Sequence, residues 1–122
     1  MKLTFECIHD VLFRGSLSER EALVRCLPPH PLKHTVLVLM DSSSPTTAIA
    51  ALAALARQYC YGSEPAVGAP LAAALHALGT EVLHREEDSA LLRLTLSRLA
   101  FARTRALALL GRFDELMTAA SD

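Results

Sequence analysis

The 122-residue sequence predicts an all-α fold, and three observations carry that expectation. Leu and Ala dominate an apolar fraction of 52%, and these are the strongest helix formers among apolar residues. Aromatic residues make up only 5% and Trp is absent, whereas a β-protein draws on Val, Ile, Thr, Tyr and Phe. Apolar residues also recur at helical spacing between Pro, Gly and Ser breaks along most of the chain. Six to seven helices in antiparallel pairs, forming a single domain over residues 1–122, is the expected architecture.

A first helix is expected from about Leu3 to Arg14, where Leu3, Cys7, Val11 and Phe13, with Ile8 and Leu12, make a broad apolar stripe that Gly15 ends. Ser16 or Ser18 then caps a second helix with Glu19 and Glu21 in its first turn, and Pro28, Pro29 and Pro31 stop it. The run LKHTVLVLMD, residues 32–41, is open between two forms. Its five consecutive apolar residues, Val36 to Met40, fit a buried strand at 35–40 or a short buried helix. The loop Asp41 to Pro45 starts a helix from Thr46 to about Tyr61, apolar almost all round from Ala48 to Ala56. Gly62 to Pro65 breaks the chain before a helix from about Ala66 to His84, whose Leu71, Leu75, Leu78 and Val82 share one face. Ala72, Ala73 and Gly79 leave room there for a neighbour to come close. Glu86, Glu87 and Asp88 open a long helix reaching Leu110, with Gly111 closing it and a final short helix expected from about Phe113.

On that long helix Leu92, Leu96, Leu99, Ala106, Leu107 and Leu110 form one apolar face with Arg103 in the middle of it. A charged group there must pair or reach water. Arg98, Arg105 and Arg112 repeat every seven residues on another face, beside Leu91, Leu94, Phe101 and Leu109. Mixed arginine and apolar side chains suit a groove or an interface for an acidic peptide, or else arginines lying over apolar surface with their heads in water. Arg98, Phe101, Arg103, Arg105, Leu109 and Arg112 are therefore the candidate partner-binding residues.

The formal net charge of −1 gives no general basic field for nucleic acid, and the longest uncharged runs are too short and proline-broken to span a membrane. Three widely spaced cysteines, Cys7, Cys26 and Cys60, point to free thiols and a reducing compartment, and Glu6 and Asp10 interrupt any leader-like stretch. The protein is read as cytoplasmic. Arg supplies ten of the twelve basic residues, which beside the many alanines suggests a GC-rich, bacterial coding sequence. Cys26, His30 and His34 are borderline metal ligands within nine residues, but the prolines between them break the helix that would align them, and a fourth ligand is missing. Cys7 and His9 lie on different helix faces, and Ser42 to Ser44 read as capping residues. No metal, cofactor or catalytic residue is assigned.

The segment Leu107-x-x-Leu110-Gly111-x-Phe113-x-Glu115-Leu116 resembles the turn of a tetratricopeptide repeat, a family that shows Leu-Gly-x-aromatic-x-Glu-Ala there. A weaker echo is Gly15-x-Leu17-x-Glu19 followed by Ala22 and Leu23. The resemblance implies stacked antiparallel helix pairs and a concave face for a peptide. Arg103 and Thr104 depart from the Leu-Gly of the family's first helix, the middle of the chain has no 34-residue register, and the absence of Asn removes the family's peptide-carboxylate clamp. A competing likeness is the run Thr35 to Pro45, which is similar to the strand and loop that open universal stress proteins and would imply a nucleotide-binding α/β domain; no second strand or phosphate loop follows it. The function expected is a non-enzymatic protein–protein interaction module: an adaptor, or a small helical chaperone like those of type III secretion. The partner is another protein or a second copy of the chain in a homo-oligomeric scaffold. The chain is either complete or the N-terminal piece of a longer repeat protein.

Overall fold

The computed structural model describes residues 2–41, 44–85 and 89–112. They form six helices and no strand: α1 (Phe5–Arg14), α2 (Leu17–Cys26), α3 (Leu32–Leu39), α4 (Pro45–Tyr61), α5 (Pro65–Arg85) and α6 (Ala90–Leu109). The all-α expectation holds, and the strand alternative for 35–40 is overturned. Residues 32–39 are helical, with Val36 and Met40 buried one turn apart while Val38 is 62% exposed. A strand there would have needed a partner for its ladder, and none exists among the described residues. The α/β nucleotide-binding reading falls with it. The seventh helix expected from Phe113, and the acids Glu86 to Asp88, lie outside the described residues.

Local chemistry sets the ends of each element. The Thr4 side chain accepts from the Cys7 N–H at the head of α1. Ser16 and Glu19 satisfy each other's backbone N–H groups in a capping box that starts α2. The far end of α2 is closed by Lys33, whose Nζ donates to the carbonyls of Arg25 (3.0 Å) and Leu27 (2.8 Å), a lysine at the negative end of a helix. Ser44 and Ser89 cap α4 and α6. At the end of α6 the Arg112 N–H donates to the Leu107 carbonyl and the Gly111 N–H to that of Ala108, with Gly111 at φ +69°. This left-handed closure is the tight turn that Leu110-Gly111-Arg112 predicts.

The three long helices pack on one another. Gly68, early in α5, lies against Cys60, late in α4, while Val82, late in α5, clusters with Ile49, early in α4, and with Leu92 of α6. α5 therefore runs antiparallel to both neighbours, and α4 and α6 run the same way. α1 packs across α5, α3 packs on α4, and α2 bridges α1 and α3. One cluster of buried side chains draws on all six helices, from Ile8 and Leu12 through Leu23, Val36, Leu55, Leu71 and Leu75 to Leu99 and Leu107. α5 is long and apolar enough to cross a membrane by length and composition, but here it is the central helix, with Leu71, Ala72, Ala74 and Leu75 buried against its three neighbours. Tyr59 ties α4 to the α2–α3 link by donating its hydroxyl to the Pro28 carbonyl, and burial, then the charge of Glu64, push its phenol up to about 12.

Candidate functional site

α6 separates its side chains into two flanks. Leu92, Thr95, Leu96, Leu99, Ala102, Ala106 and Leu107 are buried, in agreement with the face predicted from spacing; Leu110 is half-buried beside the core. Thr95, the one buried polar residue on this face, satisfies itself by donating to the Leu91 carbonyl one turn back.

The flank bordering α4 carries Leu91 (55% exposed), Leu94 (47%), Phe101 (70%) and Leu109 (58%), with Arg98 and Arg105 between them. The guanidinium of Arg105 lies 5.2 Å from the centre of the Tyr61 ring at the end of α4, a cation–π contact that joins the two helices at this surface. Isolated exposed leucines are ordinary, but this is a continuous row of large side chains along some five turns. Charge adds a second property. α4 carries Arg57, α6 carries Arg93, Arg98, Arg103 and Arg105, and neither helix holds an Asp or Glu.

Arg103 and Arg112 do not belong to this row. The predicted set of six thus divides: Arg98, Phe101, Arg105 and Leu109 share the α4 side, whereas Arg103 enters a groove between α5 and α6, and Arg112, past the helix end, stands at the mouth of the same groove. The groove is a cavity of about 700 Å³ bounded by the start of α1, the first half of α5 and the last half of α6. Its α5 wall is apolar and small, with Ala66, Ala69, Pro70 and Ala73 facing Leu107, whereas the α1 side mixes Leu3 and Phe5 with Thr4 and Glu6. A second cavity of about 270 Å³ continues beyond Arg103 and Ala73, past His76 and Thr104. His76 is held below its usual range, first by burial and then by the positive charge of Arg103, so it is neutral at pH 7.

The other sequence candidates are placed as follows. His9 stacks on Phe13, ring centres 4.2 Å apart, with Phe5 tilted on its other side at 5.3 Å. Cys7 on the same helix is half-buried. Cys26 is exposed at the end of α2, the His30 Nδ1 accepts from the Leu32 N–H, and His34 is exposed on α3, so the three serve separate local environments. Burial pushes the Cys60 thiol up to about 11, which makes it a packing group.

No family model matches this chain, and no curated protein or solved structure is significantly similar to it.

Sequence reasoning missed the groove because periodicity says which face of one helix is apolar, not which helices converge. Leu3, Ala73 and His76 are brought to Arg103 only by the packing of α1 and α5 on α6. The lack of acids on α4 and α6 was visible in the sequence as a signal, but its meaning depends on those two helices being neighbours.

Proposed function

We propose that this chain is a non-enzymatic protein–protein interaction module whose α4–α6 surface receives an amphipathic helix with acidic flanks from another protein. The observation that carries the reading is the exposed row Leu91, Leu94, Phe101 and Leu109 interleaved with Arg98 and Arg105. Such a row offers a helical partner apolar anchors about every second turn, and the arginines between them fix its direction and register by pairing with its acids. Burying apolar area at roughly 25 cal/mol per Å² supplies the affinity, less the cost of ordering the partner. An adaptor or a small helical chaperone fits this mode. The left-handed closure at Gly111 supports the likeness to tetratricopeptide turns, in which helix pairs present such surfaces.

A second copy of the chain is the weaker occupant on physical grounds. A two-fold interface sets the same patch against itself. Here it would bring Arg98 and Arg105 against their own copies, with no acid on α4 or α6 to offset them.

Site-specific photo-crosslinking in the cells that carry the gene tests the proposal. A benzophenone side chain is placed at position Leu94 or Phe101, and as a control at Glu19 on α2. The reading expects a discrete adduct with one other protein from both α6 positions and none from the control. Adducts only between copies of the chain assign the surface to self-assembly, and equal labelling from all three positions refutes it.

A further inference from the structure

The groove around Arg103 lies on the opposite side of α6 from the proposed docking row and invites a ligand of its own. Among the described residues, no hydrogen bond or ion pair engages the Arg103 guanidinium, although the side chain is half-buried. It stands between two contiguous cavities, sharing with Ala73 the wall of each. A cavity of about 700 Å³ that sets small apolar side chains of α5 beside Thr4, Glu6, Arg103 and Arg112 is of a size that takes small molecules with both an apolar and a charged end. The planar guanidinium matches a carboxylate through two parallel N–H donors. His76 adds a ring whose N–H or lone pair is available to a neutral partner rather than a competing charge.

The charge pattern narrows the ligand. Arg103 and Arg112 line the groove with Glu6 on the α1 side, so the wall charges leave one positive charge over, which a single negative charge matches. Ala69, Pro70 and Ala73 with Leu107 and Phe5 give an aliphatic or aromatic body an apolar side to lie against.

We propose that the groove between α1, α5 and α6 binds an apolar monocarboxylate, with the carboxylate held by Arg103 and the apolar part against Ala73, Leu107 and Phe5. Titration of the full chain with octanoate, followed by backbone amide NMR shifts, tests this. Saturable shifts are expected at residues around Ala73 and Thr104, with 1-octanol binding at least about tenfold more weakly because it forgoes the charge-assisted pair. Arg103→Met should reduce octanoate to the affinity of octanol. Ala73→Leu, which fills the groove from its partly open wall, should abolish both. If Arg103→Met fails to fold, Ala73→Leu decides alone. N-acetyl-leucyl-leucine, free or amidated, forms a second arm; stronger binding of the free acid than of octanoate would assign the carboxylate to a peptide terminus. Equal binding of octanoate and octanol, unchanged octanoate binding in the folded variants, or no saturation overturns the proposal.

Discussion

The close approach of α4 and α5 is tested by adding one methyl group at Gly68. A Cβ built there stands 2.6 Å from the Cys60 backbone nitrogen, 2.8 Å from its Sγ and 3.0 Å from its Cα. Ordinary contact needs about 3.5 Å, so the two helices must separate by roughly 1 Å at their crossing. Overpacking typically costs about 1–3 kcal/mol, and the upper end applies because two of the three atoms are backbone and have no rotamer to change. Replacing Gly by Ala inside a helix returns about 1 kcal/mol of propensity. Gly68→Ala is therefore expected to destabilise by about 2 kcal/mol, or lower Tm by roughly 6–8 °C for a chain of this length. Gly79→Ala is the internal control. Its Cβ meets the Leu96 Cδ2 at 2.5 Å, a methyl at the end of a rotatable side chain, so a cost of about 1 kcal/mol offsets the same propensity gain. Thermal and urea unfolding followed by far-UV circular dichroism measure both. Gly68→Ala as stable as wild type, or Gly79→Ala the worse of the two, would refute the packing described.

Further outcomes follow from the same structure. Tyr59→Phe removes the donor to the Pro28 carbonyl and should cost about 1 kcal/mol in urea unfolding, with no change in helix content. His76 has its pKa lowered in the folded chain by burial and by Arg103, so the unfolded chain binds the proton more readily; its contribution to stability is present above about pH 6.5 and lost as pH falls below it. Between pH 7 and 5 wild type should lose more stability than His76→Gln, and equal losses would place His76 in water. Leu94→Ser and Phe101→Ser sit on exposed positions and should each change stability by no more than about 0.5 kcal/mol, whereas Leu99→Ala, fully buried, should cost about 2–5 kcal/mol.

Much of this architecture is legible in the sequence alone. Ser16 or Ser18 marks the start of α2 and the structure uses Ser16, the glycine at 111 marks the end of α6, and the spacing of Leu92, Leu96, Leu99 and Leu107 identifies its buried face. Residues 32–41 were ambiguous because a short apolar run fits a strand or a helix equally; the burial of Val36 and Met40, with Val38 between them exposed, follows the helical period. The start of α6 was expected at the acids of 86–88, and among the described residues Ser89 supplies the cap. The candidate site was only half legible. Arg98, Phe101, Arg105 and Leu109 share a flank by helical geometry alone. That Arg103 belongs to a different, concave site depends on α1 and α5 meeting α6 at Ala73 and Leu107, contacts between residues far apart in sequence, which no local pattern encodes.

The central claim is that the α4–α6 surface awaits a partner other than the chain itself. Light scattering on the purified chain over a hundredfold range of concentration tests it most directly. A monomer of 13.2 kDa throughout is the predicted result. A dimer that grows with concentration and dissociates on Phe101→Glu would contradict the claim, because the exposed row would then be the chain's own interface.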